Sequence, residues 1–215
     1  MTARFRDGVK AALPLSPAPA LFGASFGLLA GEAGMSTAAA ILMSATTFAG
    51  SAQFAAASIL ETGGGAVAAI VAALLLNARY APMSVAVAAI FPGSRRRRLA
   101  EAQLIVDESW ALAGKSGRFE YPVLVGAGTV FYVLWIVGTV VGILAGDALG
   151  DPDAIGLDAA FPALFLALLV PYLRLPRAPT AALVAAAITL VLTPVTPAGV
   201  PIVVASLACL IGLRR

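Results

Sequence analysis

Arg79 stands out first, as the only charge between Glu61 and Arg95. It lies in Asn77-Ala78-Arg79-Tyr80, between the apolar pieces Ala66–Leu76 and Met83–Phe91, with Pro82 marking the interruption. Arginine at the centre of a bilayer costs about 2.5–3.5 kcal/mol on insertion scales, so it faces a protein interior or a wet cavity. A broken helix at that depth offers terminal carbonyls to an ammonium group. It offers terminal amides, here with Arg79, to a carboxylate. Asn77, Arg79 and Tyr80 are therefore candidates to meet a small zwitterion. The alternative is structural: Arg79 snorkels to an interface or pins a helix end.

A second polar set lies in Phe48-Ala49-Gly50-Ser51-Ala52-Gln53-Phe54. Ser51 and Gln53 each need a hydrogen-bond partner in lipid, and Gly50 leaves room beside them. They fit either an interhelical contact or a polar transport path. Asp107 and Glu108, just before Trp110, fit a solvated face. They also fit a gate or coupling pair that engages an arginine.

The absences narrow the chemistry. The chain has no histidine, which excludes a Ser-His-Asp triad, a zinc-binding H-E-x-x-H helix and histidine-held metal. Its single cysteine, Cys209, cannot form an intrachain disulfide. No G-x-x-x-x-G-K-[ST] loop is present to hold a nucleotide. No metal or other cofactor is expected, nor enzymatic activity.

The elements that must position these residues are apolar helices. Hydrophobic residues make up 60% of the 215 residues and charged ones 12%, with a mean hydropathy of +0.96. A soluble chain carries about 25% charged residues. No charge occurs in Ala11–Gly31, Ala33–Leu60, Thr62–Ala78, Tyr80–Ser94, Tyr121–Gly146, Ala159–Leu173 or Ala178–Leu213. A spanning helix needs about 20 apolar residues, which several of these runs reach. The first run lacks a convincing cleavage site and reads as a span, not a removed signal. The reading is an all-α, polytopic membrane protein.

Charge position sets orientation. Arg4, Arg6 and Lys10 precede the first run; Arg95 to Arg98 open the longest polar stretch; Arg174 and Arg177 form a short basic loop; Arg214 and Arg215 end the chain. The positive-inside rule places all four in the cytoplasm, with both termini. Asp147, Asp151, Asp153 and Asp158 carry the opposite loop. The net charge of +3 reflects this topology, and no nucleic-acid partner is implied.

The chain also repeats itself. Phe22–Ala33 reads FGASFGLLAGEA and Val137–Ala148 reads VGTVVGILAGDA, a constant 115 residues apart. Gly23, Gly27 and Gly31 align with Gly138, Gly142 and Gly146. Glycines four apart share one helix face and let another backbone approach, which predicts helix packing. Ala66–Leu76 resembles Thr180–Leu190 more loosely. We read residues 1–94 and 121–215 as two related membrane repeats joined by a cytoplasmic basic linker, 95–120. Such duplication is common in transporters, with the site between the repeats.

Parity of crossings adds a constraint. A cytoplasmic amino terminus and a cytoplasmic Arg95 require an even number of crossings between them. Segments near Pro14–Gly31 and Thr37–Leu60 supply two, so Gly65–Phe91 is expected to be a re-entrant hairpin broken at Asn77–Pro82. The total is about six or seven membrane segments with broken or re-entrant helices.

At this point the sequence resembles an AzlC-type permease, the larger component of the branched-chain amino acid exporters. The stretches that carry the resemblance are Phe22-Gly23 with Phe26-Gly27, Phe48–Phe54, Leu76-Asn-Ala-Arg-Tyr80, Val106-Asp-Glu-Ser-Trp-Ala111, Phe161–Phe165 and Leu169-Val-Pro171. They occur in order over most of the chain. Tyr80 stands where the family more often has histidine. The resemblance implies export of leucine, isoleucine, valine or analogues across the inner membrane, and a small hydrophobic AzlD-type membrane subunit as partner. Besides the carrier, a channel or passive pore for a small polar solute fits glycine-rich helices.

Overall fold

The computed structural model describes residues 4–61, 63, 65–115, 117–145, 166, 169, 170, 172–196 and 200–213. The acidic loop at 147–158, Gly146, the Phe161–Phe165 stretch, Pro171 and the final arginines lie outside the described residues.

Helix α1 (Phe5–Ala12) is followed by a 3-10 turn (Leu13–Leu15) and α2 (Pro17–Glu32). The two halves of this unit meet at 64°. Proline causes the bend: Pro17 has no N–H to give the carbonyl four residues back, and its ring disfavours a continued helix. The Leu13 carbonyl is taken instead by the Ser16 N–H at 3.2 Å and by its hydroxyl at 2.7 Å. Then come α3 (Thr37–Thr46), capped by the Ser36 hydroxyl on Ala39 N–H at 3.2 Å, and α4 (Gly50–Glu61). Next are α5 (Ala66–Asn77), α6 (Tyr80–Val87) and the polar-side helices α7 (Arg95–Ala102) and α8 (Asp107–Ala113). A two-residue hairpin, Gly114–Lys115 with Arg118–Phe119, leads into the long α9 (Tyr121–Ala145). Helices α10 (Ala178–Leu192) and α11 (Val200–Ser206) follow and pack on each other. Thr193–Thr196, after the first of them, form turns and a bend.

Among the described residues, two stretches are long and apolar enough to cross a membrane, Ala66–Ile90 and Tyr121–Ala145, each of 25 residues; the bent α1–α2 unit is a third when its two halves are taken as one span. Their outward faces are greasy. On α9, Val133, Val137, Val141 and Leu144 are exposed at helical spacing, as are Val67, Ile70 and Leu74 on α5. A stripe of this kind is stable in lipid and costly in water. The chain is a helical membrane protein.

The α1–α2 unit runs alongside α9 in the same direction, glycine against backbone. A methyl group on Gly23 would collide with the Trp135 carbonyl, and one on Gly138 with the Ala20 carbonyl. One on Gly27 would strike the Thr139 carbonyl, and one on Gly142 the Ala24 carbonyl. These contacts are reciprocal, because Trp135 and Thr139 lie 115 residues beyond Ala20 and Ala24. Farther down, Gly8 meets the Val123 carbonyl and Gly126 meets that of Phe5, again reciprocally but at a spacing of 118. The three-residue difference matches the 3-10 turn Leu13–Leu15. Straight α9 and kinked α1–α2 are thus the same interface seen from both sides. Gly31 differs, with no atom of a described residue within 4 Å of a Cβ placed there.

The hairpin is not where the charge parity suggested. Ala66–Ile90 continues as one segment through a short turn at Ala78–Arg79. The Ala78 N–H reaches Leu74 O at 3.0 Å, and the Ala81 N–H reaches Ala78 O at 3.1 Å, so the path barely deviates. Pro82 falls in the first turn of α6, where its missing N–H has no helical partner to lose. The chain turns back instead between α3 and α4. Helix α3 runs against α9: Ser44 meets Thr139, the Ala45 carbonyl meets the Tyr132 hydroxyl, and the Thr46 carbonyl meets Gln103. Helix α4 runs with α2, Phe54 packing edge-on against Phe26 at 6.1 Å. Phe48 makes the reversal at φ +36°, a left-handed conformation that costs a non-glycine residue about 1–3 kcal/mol. Edge-on contacts with Tyr132 at 5.1 Å and Trp135 at 6.3 Å hold it there.

Candidate functional site

Two interruptions meet inside the bundle. The α3–α4 reversal brings Gly50 and Ser51 to the turn between α5 and α6, which carries Arg79 and Tyr80. Ser51 can sit there because α4 starts at Gly50, two residues after the strained Phe48. Arg79 Nη2 donates to Ser51 Oγ at 3.0 Å and to Tyr80 Oη at 3.4 Å, and its guanidinium lies 5.2 Å from the Tyr80 ring centroid.

The counter-charge comes from α8. Arg79 Nη2 and Asp107 Oδ2 are 3.0 Å apart, with both side chains about four-fifths buried. Helix α8 is short, and a buried serine anchors it. Ser109 Oγ accepts the Val106 N–H at 3.0 Å and donates to Leu104 O at 2.7 Å. Part of the stretch read as linker therefore packs into the bundle. Glu108 lines the same pocket beside Asp107.

The remaining walls are Pro19, Phe22, Phe48, Val106, Phe131 and Trp135. The space they leave measures about 40 Å³, more than the roughly 10–15 Å³ that one water requires on this measure. One cation faces two carboxylates in a largely aromatic enclosure. Burial, reinforced by Asp107, pushes the Glu108 carboxyl up to about 7. Burial also raises Asp107, against the pull of Arg79. The arrangement can offer a cation to a carboxylate, an anion to an ammonium, and aromatic surface to an aliphatic group.

Gly50, Ser51, Arg79, Tyr80, Asp107 and Glu108 thus come together. Gln53 and Asn77 do not line this pocket. Gln53 is fully buried in a closed chain: Nε2 donates to Ser44 Oγ at 2.9 Å, Ser44 Oγ pairs with Thr139 Oγ1 at 2.9 Å, and Ala49 N–H donates to Gln53 Oε1 at 3.3 Å. It ties α3, α4 and α9 together. Asn77 lines a separate apolar groove with Met43, Thr47 and Ala73, and its buried Oδ1 has no partner among the described residues. Sequence reasoning missed the apolar walls. Trp135 carried a signal, as one of two tryptophans in the chain, 115 residues beyond Ala20 in the repeat. Its buried Nε1 also has no partner among the described residues.

Broken helices that hold a largely buried ion pair define a membrane protein built around an internal polar site. Residues 14–149 match the family described as AzlC protein, and the chain belongs to that family. Among its relatives, a membrane protein of Archaeoglobus fulgidus is 32% identical over 175 residues, covering 80% of this chain and 78% of its own. One from Helicobacter pylori strain J99 is 27% identical over 168 residues, covering 76% and 73%. Both are described as uncharacterized membrane proteins. No solved structure matches.

Proposed function

We propose that this chain is the large component of a secondary transporter that exports branched-chain amino acids across the inner membrane. The observation that carries the reading is the Arg79–Asp107 pair, held in an aromatic pocket between two helix interruptions. A zwitterion divides such a pair. Its carboxylate takes Arg79 and Ser51, its ammonium takes Asp107 with Glu108, and its aliphatic side chain packs on Phe22, Phe131 and Trp135. Each charge exchanges one partner for another, so the desolvation already incurred by the buried pair is not repeated. The pocket measures about 40 Å³ as it stands, enclosed by these side chains. A carrier must open it to one side at a time.

Family membership supports the transport role. The direction, the branched-chain substrates and an AzlD-type membrane subunit come from the resemblance. The orientation follows from charge. Phe5, Arg97 and Tyr121 share one end of the bundle, Arg97 donating to Tyr121 Oη at 3.0 Å. Placing that end in the cytoplasm satisfies the positive-inside rule with α3–α4 as the re-entrant hairpin. The reciprocal glycine contacts support two duplicated halves in parallel orientation.

The test is counterflow of labelled leucine into leucine-loaded proteoliposomes, with and without the small subunit. The wild type should show saturable counterflow, and Arg79→Ala should lose about tenfold or more, the factor for one charge-assisted contact. Unsaturable flux, or an unchanged Arg79→Ala rate, would contradict the reading.

A further inference from the structure

The basic run at 95–98 does more than mark a side of the membrane. Ser94 caps α7, its hydroxyl accepting the Arg97 N–H at 3.5 Å, and four arginines follow in its first turn. They have different fates. Arg97 is committed within the protein: Nε donates to Glu101 Oε1 at 2.8 Å and Nη2 to Tyr121 Oη at 3.0 Å. Arg95 and Arg98 line a cleft of about 500 Å³ at the end of the Ala66–Ile90 segment. Neither forms an ion pair with a described residue; Arg98 donates only to the Ala88 carbonyl, at 2.6 Å.

Apart from Ser84, the other walls of the cleft are apolar. They include Phe91, Leu99 and Ile105, with Leu99 two-thirds exposed. The two guanidiniums thus share one cleft with hydrocarbon-compatible surface where a spanning segment ends. A soluble anion would account for the arginines and leave the apolar walls unexplained. A neutral lipid would account for the walls and leave two unneutralised cations. Only an amphiphile with an anionic head satisfies both.

We propose that this cleft is a binding site for an anionic phospholipid, with its phosphate on Arg95 and Arg98 and acyl carbons along Phe91, Leu99 and Ile105. The position gives the lipid a purchase on the transport pocket. Helix α7 is tied to α9 by Arg97, Glu101 and Tyr121, and Gln103 Nε2 donates to the Thr46 carbonyl at 2.9 Å, just before the α3–α4 reversal. Asp107 opens the next helix.

Native mass spectrometry of the full-length chain in detergent tests this without any transport assay. Phosphatidylglycerol should be retained about thirtyfold better than phosphatidylcholine of the same chains, the factor that two arginines at an anionic site supply. Inorganic phosphate in excess should not displace it. The Arg95→Gln/Arg98→Gln variant should lose the preference. Arg95→Lys/Arg98→Lys should keep most of it, and Arg96→Gln, outside the cleft, should keep all of it. Because the lysine pair preserves charge, it also shows whether loss in the glutamine pair reflects misfolding. Equal retention of both lipids, displacement by phosphate, or an undiminished preference in the glutamine pair would each overturn the proposal.

Discussion

At the residue scale, the pocket is defined by an imbalance of charge. Arg79 neutralises Asp107 at 3.0 Å, and Glu108 is left as the second carboxylate against an apolar wall. Arg79 and Asp107 are the charged groups facing it, Tyr80 is the other titratable one, and the remaining lining residues carry no charge. The Glu108 carboxyl is raised from 4.5 to about 7, chiefly by burial. The folded protein therefore holds a proton on Glu108 that the unfolded chain has released between those values. Stability should fall as pH rises from about 4.5 through 7 and level off above. Thermal unfolding of the purified protein across this range checks it. Glu108→Gln should flatten that part of the profile, and an unchanged slope in the variant would show that another group is responsible. Arg79 was legible in the sequence because a lone charge in a long apolar stretch has few explanations. Its partner was legible only as a type. Asp107 lies 28 positions beyond Arg79 in the chain, and only tertiary packing of α8 brings them together.

At the element scale, backbone contact does what side chains do in soluble cores. Where α2 and α9 touch, glycine removes the side chain and lets carbonyls meet the opposite backbone. Gly27→Ala should destabilise the protein by about 1–3 kcal/mol, because a Cβ would overlap Thr139 and nearby α9 backbone that cannot swing away. Gly31→Ala should be neutral or stabilising by up to about 1 kcal/mol, since no described residue lies near it and alanine favours the helix. Thermal unfolding of the two variants in one detergent separates them, and equal losses would refute the contact map. The four-residue spacing announced this interface in the sequence. It did not distinguish Gly27 from Gly31, because that depends on which residues pack beside each glycine in the fold. The reversal was misread for a related reason. Asn77–Pro82 has polar residues and a proline, the stronger local signals, yet Pro82 fits the first turn of a new helix. The actual reversal pivots on Phe48, whose positive φ no residue type announces and only aromatic neighbours sustain.

At the scale of the whole molecule, the proposed re-entrant hairpin at α3–α4 changes which residues share a side of the membrane. In a Cys209→Ser background, single cysteines at Thr37 and Glu61 should react with an impermeant maleimide from one side, and one at Arg96 from the other. A hairpin at Gly65–Phe91 would put Glu61 and Arg96 together, so co-labelling of that pair would restore the topology first expected from charge parity. The broader conclusion survives either way, because membrane character rests on the apolar outer faces of α5 and α9. The central claim is that the Arg79–Asp107 pocket recognises both charges of an aliphatic amino acid. Competition against labelled-leucine counterflow tests it most directly, using leucine, leucinamide, which lacks the carboxylate, and 4-methylpentanoate, which lacks the ammonium. We predict that leucine competes strongly and that each single-charge analogue is weaker by about tenfold or more. Competition by either analogue as strong as that by leucine itself would contradict the account.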